Sequence, residues 1–311
     1  MEFQNLDENM ANILYFDRKA QKLEKEKVYG GFFLELLYGE GWISRCFSFF
    51  FLPLFTRFSC FSKFYGFLQK TRLSRFKVIP FIRKFQVDSS EFLEPASSFA
   101  SFNEFFIRRL KPSARSIVSD QNVAILPADA RYLVYPKIQC ADDFWVKGKK
   151  FCLQTLLNDQ KMASRYEKGA MAIARLCPSD YHRFHFPVAC VPGEPRLIEG
   201  PLYSVNPLAL KRHSEILCEN KRMITELKTD SFGTILYIEV GATYVGTIHQ
   251  TYVPGRPYAK GEEKGYFSFG GSSLILLFEP NTVLFDGDLL TNSNQKIEVR
   301  GLLGESMGSK S

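Results

Sequence analysis

From about residue 118 onward the chain is broken into short apolar runs by turn residues, and this texture constrains the fold of its 311 residues more than any other feature. The runs at 123–126, 171–176, 235–240, 244–248 and 274–278 are too short for buried helices and have the length of strands. Gly241, Gly246, Gly255, Gly265, Gly270 and Gly271 punctuate them. Ahead of this region, 102–110 reads as a helix stopped by Pro112, and 89–101 as a connector containing Pro95. Residues 32–38 read as a short helix ending before Gly39, and the Lys- and Glu-rich stretch 19–30 as a helical start. The expected class is α+β: a helical, basic and aromatic N-terminal part over 1–88, then a β-rich catalytic domain over 89–311.

Charge is distributed unevenly. The formal net charge is +7, yet 41–87 contains no Asp or Glu and holds Arg45, Arg57, Lys63, Lys70, Arg72, Arg75, Lys77, Arg83 and Lys84. Within that stretch Phe47, Phe51, Phe55, Phe58 and Phe61 recur at helical spacing, and the greasy run 46–55 is interrupted by Pro53. It is shorter than the roughly 20 apolar residues a spanning helix needs. Phenylalanine with interspersed cations and no acids describes interfacial helices on an anionic membrane. An amphipathic helix packed on its own domain with solvated cations remains open, and nucleic acid fits a Phe-rich stripe less well. Cysteines number seven with no C-x-x-C pair, which argues against a disulfide framework and for a reducing compartment. The first twenty residues have neither a basic start nor a long apolar stretch, so no cleaved signal peptide is expected.

Three places could carry chemistry. Gly270-Gly271-Ser272-Ser273 stands directly before an apolar strand-like run; Asp129 follows Pro127; and His182 and His185, two of the four histidines, share a segment between Pro178 and Pro187. Each has a bland reading, as a turn, a turn aspartate and hydrogen-bonded structural histidines. Together they supply an acid, a base and a hydroxyl nucleophile. One sharp reading is a serine hydrolase with Asp129, His185 and Ser272 as its triad, although the G-x-S-x-G elbow is missing. Another is self-cleavage: Gly271 lacks a Cβ and tolerates a strained backbone that exposes its carbonyl to the Ser272 hydroxyl. Gly308-Ser309 is a decoy in a polar tail. No metal set is read, because in a strand positions 182 and 185 face opposite sides and no carboxylate or cysteine cluster completes it. A non-enzymatic membrane-surface protein is the third alternative.

The chain resembles the pyruvoyl-dependent phosphatidylserine decarboxylases. The resemblance is carried by 102–117 (FNEFFIRRLKPSARSI), Pro127-Ala128-Asp129, 180–187 (DYHRFHFP), Ser204-Val205-Asn206-Pro207, 240–246 (VGATYVG), Lys260-Gly261-Glu262, 269–273 (FGGSS) and 304–308 (GESMG), in that order. It departs at Ala130 and Ser113, where glycine is more usual, and at Ser273, where threonine is frequent. None of these removes a reacting group.

The resemblance implies self-cleavage between Gly271 and Ser272 by Asp129, His185 and Ser272. The products would be a β chain, 1–271, and an α chain, 272–311, with Ser272 converted to a pyruvoyl group that forms the Schiff base with substrate. It further implies decarboxylation of phosphatidylserine to phosphatidylethanolamine and CO2, with His182 in proton transfer, where an unperturbed pKa near 6.5 suits a donor. The enzyme would be a carboxy-lyase of phospholipid biosynthesis with no metal. It would be held peripherally on the cytoplasmic side of the cell membrane through about 41–87, as a homodimer, with no nucleic-acid partner.

Overall fold

The computed structural model describes residues 13–27, 66–138, 152–212, 215–242, 248–269 and 272–311. Its chain order begins with strands β1 (Leu14–Asp17) and β2 (Lys22–Lys25), helix α1 (Val78–Phe85), helix α2 (Phe102–Phe106), and strands β3 (Val123–Ile125) and β4 (Ala130–Tyr135). Helices α3 (Leu153–Leu157) and α4 (Gln160–Tyr166) follow, then β5 (Ala170–Leu176), β6 (Arg183–His185), β7 (Val191–Pro192) and β8 (Arg196–Ile198). Next come α5 (Pro207–Arg212), α6 (Ile216–Glu219), β9 (Arg222–Lys228), β10 (Thr234–Gly241), β11 (Ile248–Gln250) and β12 (Glu263–Phe267). The chain closes with β13 (Ser272–Phe278), β14 (Val283–Phe285), α7 (Gly287–Asn294), β15 (Glu298–Gly301) and β16 (Ser306–Lys310).

A ten-stranded sheet organises the molecule in the order β2-β1-β15-β4-β5-β13-β10-β9-β7, with β8 also on β9. All pairings in it are antiparallel except β1 on β15. The expected run 274–278 becomes β13, which lies in the middle of the sheet between β5 and β10 and has every residue buried. Period-2 alternation divides it: Leu274, Leu276 and Phe278 enter one core, Ile275 and Leu277 the other. The first core is closed by two three-stranded sheets, β11-β12-β6 and β14-β16-β3, through Phe184, Phe186, Phe267, Phe285 and Met307. Helices α3 to α6 close the second with Leu156, Leu157, Tyr166, Leu210 and Leu217. The architecture is therefore α+β in three layers.

A third cluster contains Val78, Phe81, Phe92, Phe99, Phe102, Phe105, Phe106 and Phe269. It packs α1 and α2 together and reaches the chain just ahead of β13. Ring centroids 5.1–5.6 Å apart link Phe81, Phe105, Phe102, Phe106 and Phe269. The α2 helix is only five residues long, started by Ser101, whose side chain accepts from the Glu104 amide.

The expected helical start at 19–30 is corrected. Residues 22–25 form β2, hairpinned to β1 through a turn in which Gln21 takes φ 53°. Parallel pairing of Tyr15, Phe16 and Asp17 with β15 outweighs the local helical propensity. The helix expected at 32–38 and the phenylalanine stripe at 47–61 lie outside the described residues. Of the acid-free segment, the described part is helical at 66–70 and 78–85, with a 3₁₀ stretch at Arg72–Lys77. It serves two directions at once: Val78 and Phe81 are buried in the phenylalanine cluster, while Phe67, Leu73 and Phe76 are 62–79% exposed. Lys70, Arg72, Arg75, Arg83 and Lys84 are exposed around them. No helix among the described residues is long and apolar enough to cross a membrane.

Candidate active site

Ser272 is the first residue of β13, opposite Leu176 on β5 and Gly241 on β10. It is fully buried, and its Oγ has no hydrogen-bond partner. Gly270 and Gly271 lie outside the described residues. The chain just before them is fixed: the Phe269 amide donates to Asn103 Oδ1 at 3.1 Å, and the Phe269 ring stands 5.2 Å from Phe102 and 5.1 Å from Phe106. Helix α2 thus pins the approach to Ser272, and Asn103 does so through a buried side chain.

The two-histidine segment follows β5 and leads into β6. Asp180 anchors it: its Oδ2 accepts from Arg131 Nη1 at 2.8 Å and from the Cys177 amide at 2.7 Å. Its carbonyl accepts from Arg108 Nη2 at 3.1 Å and from His182 Nδ1 at 2.9 Å. Because Nδ1 faces a carbonyl it carries the proton, which leaves His182 Nε2 bare, buried and unpartnered. The ring lies against Phe106, with centroids 3.8 Å apart. Burial, reinforced by the Arg108 charge, pushes His182 down to about 3. The value near 6.5 belongs to an imidazole in water; the desolvation of this apolar pocket favours the neutral form of His182.

His185 ends β6. Its amide donates to the Pro127 carbonyl at 2.9 Å, which ties it to the Asp129 loop. Its Nδ1 is buried without a partner, and its ring stacks on Tyr181 at 5.9 Å. Burial lowers His185 to about 4, with the nearby Asp129 charge opposing and Arg183 assisting. Asp129 itself is occupied elsewhere. Arg115 holds both carboxylate oxygens, at 2.9 and 3.2 Å from Nε and 2.5 Å from Nη2. The Leu303 amide adds a further bond at 2.9 Å. The structure therefore brings Asp129 and His185 onto neighbouring segments, but Asp129 spends its hydrogen bonds on Arg115 and Leu303, and His185 Nδ1 spends none. Arg115 also reaches Glu91 at 2.9 Å, a second seat for the same guanidinium.

Nine buried side-chain nitrogen and oxygen atoms lack a partner among the described residues, and Ser272, Ser273, His182 and His185 supply four of them. Native proteins keep such groups rare, so these four unpartnered atoms make their residues the candidates for chemistry. The same residues offer no metal site: no group of three or more His, Cys, Asp or Glu side chains among the described residues is placed to hold an ion. Sequence reading did not single out Asn103, Arg108 or Arg115. All three lie within 102–117, where nothing in the local sequence gave a sign of the contacts they make.

The phosphatidylserine decarboxylase family model matches residues 102–308. The chain belongs to the phosphatidylserine decarboxylase family. Among its relatives, the phosphatidylserine decarboxylase proenzyme of Chlamydia muridarum (strain MoPn / Nigg) is 46% identical over 302 residues, covering 96% of this chain and 97% of the relative. That of Chlamydia pneumoniae is 50% identical over 248 residues, covering 80% and 82%. That of Chlamydia felis (strain Fe/C-56) is 43% identical over 302 residues, covering 96% and 98%. With the family goes the enzyme class, a carboxy-lyase made as a proenzyme. The family match begins at Phe102, the first residue of α2, and so takes in Asn103, Arg108, Arg115, Asp129, His182, His185 and Ser272.

Proposed function

We propose that this chain decarboxylates phosphatidylserine to phosphatidylethanolamine and CO2, using a pyruvoyl group that it makes from its own Ser272. The observation that carries the reading is the Ser272 hydroxyl, buried and unpartnered at the start of a central strand, directly after two glycines. An ordinary strand serine would have a partner or face water.

In self-cleavage Ser272 Oγ attacks the Gly271 carbonyl carbon, the Gly271–Ser272 amide becomes an ester, and the freed amine stays on residue 272. His185 takes the hydroxyl proton, and Asp129 steadies the imidazolium once Arg115 swings toward Glu91. Elimination then expels the Gly271 carboxylate. Hydrolysis of the resulting enamine releases ammonia and leaves a ketone at position 272. The products are a β chain, 1–271, and an α chain, 272–311.

The pyruvoyl group supplies an electron sink for the pair released with CO2. Around it the residues fit: apolar walls from Phe106 and Phe269 exclude water, and His182 presents a bare Nε2. Since His182 is neutral, it relays a proton that it must first accept, and is not a standing acid.

The division into a membrane-associating part, 1–88, and a catalytic part, 89–311, is one of role, since β1 and β2 lie in the catalytic sheet. The exposed Phe67, Leu73 and Phe76 among the exposed cations Lys70, Arg72, Arg83 and Lys84 support peripheral attachment to an anionic bilayer, on the cytoplasmic side of the cell membrane. A homodimer belongs to the same reading.

The deciding experiment is an intact-mass spectrum of the purified wild type beside Ser272→Ala. Two chains split after residue 271, with the smaller blocked by pyruvoyl and the variant uncut, are expected. A single full-length wild-type mass from active protein would leave the conventional hydrolase standing in its place.

A further inference from the structure

We propose that the cavity between the N-terminal hairpin and the end of α1 is an oxyanion-binding site anchored on Arg108, with a phosphate group as its ligand. The cavity has a volume of about 310 Å3. Its wall combines Tyr15 and three lysines of the hairpin region, residues 85–88 after α1, and Arg108, Arg115, Arg131 and Arg300.

Arg108 differs from the other arginines on this wall. It is only 4% exposed, yet its bonds go to backbone carbonyls alone: Phe105 at 3.4 Å, Ser179 at 3.0 Å and Asp180 at 3.1 Å. Its Nε is buried with no partner. Arg115 has Asp129 and Glu91, Arg131 has Asp180 and Glu26, and Arg300 has Asp17. A guanidinium removed from water without a carboxylate in contact is costly, and proteins ordinarily pair such a charge. Phe92 and Phe105 flank it, 5.1 and 4.9 Å from Cζ, which fixes the plane of the fork. Desolvation pushes its pKa down to about 10, the signature of a cation short of counter-charge.

The acids on the wall do not fill this gap, because each is engaged. Asp129 and Glu91 go to Arg115, and Asp180 to Arg131. Glu24 accepts from the Tyr15 hydroxyl, and Asp88 caps Ser90. At the rim, Lys19 and Lys25 are exposed, and among the described residues their ammonium groups meet no carboxylate. The balance left over is cationic, a fork at the back and two ammonium groups at the mouth, which is the pattern that selects an oxyanion.

The position also has a consequence for the neighbouring chemistry. Arg108 and His182 share the Asp180 carbonyl, so a ligand on Arg108 sits one common acceptor away from the His182 ring. An anion there offsets the charge that disfavours protonation of His182. The phosphate could be free or borne by an anionic phospholipid headgroup.

The test uses the uncut Ser272→Ala chain, so that its outcome does not depend on the pyruvoyl reading. Inorganic phosphate, and separately glycerophosphoglycerol as a soluble headgroup, are titrated calorimetrically at constant ionic strength. Saturable binding is expected, weakened at least about tenfold by Arg108→Met. Glycerophosphoglycerol binding as tightly as phosphate assigns the site to a lipid headgroup, and phosphate binding alone assigns it to the free ion. Because Arg108 packs on Phe92 and Phe105, Lys19→Glu combined with Lys25→Glu serves as a second variant on exposed positions. No saturable binding of either probe overturns the proposal. So does unchanged affinity in the double lysine variant, or in Arg108→Met that melts like its parent.

Discussion

At the scale of single residues, the site is defined by polar atoms left without partners. His185 Nδ1 is free while Asp129, its expected partner, is clamped by Arg115. Replacing His185 by Gln is expected to slow self-cleavage by about 10²–10⁴-fold, the range for a lost general base. A gel time course of full-length against cut protein checks this, and cleavage at the wild-type rate would remove His185 from the mechanism.

Both buried histidines also give stability a pH dependence of known sign. Their folded pKa values, about 3 and about 4, lie below the ordinary value of 6.5. The unfolded chain therefore binds more protons between pH 6.5 and 4, and stability falls as pH drops through that window. Each histidine contributes up to about 1.4 kcal/mol per pH unit there. Denaturant melts from pH 7 to pH 4 should show a shallower loss in His182→Gln than in wild type.

The sequence named Asp129, His182, His185 and Ser272 through residue types and a family resemblance. It did not reveal their connections. Arg115 reaches Asp129 across 14 residues, and Asn103 reaches Phe269 across 166; only the fold brings such pairs together.

At the scale of elements, the acid-free segment was legible as amphipathic, and two readings of it were open. Its described part combines them, with one apolar side in the phenylalanine cluster and another facing outward. Charge reversal at Arg72, Arg75 and Lys77 is expected to weaken binding to anionic liposomes by at least about tenfold, since each cation contributes about 1 kcal/mol at such a surface. Self-cleavage should continue in that variant, and undiminished flotation with liposomes would count against the membrane role.

The strand runs at 171–176 and 235–240 were read correctly because a strand buried on both faces is a short, nearly continuous apolar run bounded by turns. The hairpin at 14–25 was not. Its stability comes from β15, some 280 residues away in sequence, and no local signal encodes that pairing. For α2, Phe105→Ala removes a ring that touches Phe81, Phe92, Phe99 and Phe102. A loss of about 3–5 kcal/mol is expected in equilibrium unfolding.

At the scale of the whole molecule, the proposed cut falls at the edge of a central strand. β13 keeps both neighbours, six residue pairs with β10 and seven with β5, whether or not position 271 is joined to it. Arg18, from the N-terminal turn, adds bonds to Asp288 at 2.6 Å and to the Ser306 carbonyl at 2.6 Å, so the far ends of the two products are also stapled. The two fragments should co-elute in size exclusion and separate only in denaturant. A free small fragment under native conditions would contradict this arrangement.

The central place of β13 also sets an order of events. The strand finds its neighbours while it is still tethered, when bringing the ends together is a loop-closure problem whose entropy grows only slowly with length. Once cut, the same sheet holds by contacts alone, and rebuilding it from separated pieces would be an encounter between two molecules that depends on their concentration. The chain can therefore assemble itself once as a single thread. A chain cut at the proposed site would then rest on not letting go, and its lifetime at low concentration would follow the rate at which β13 leaves the sheet.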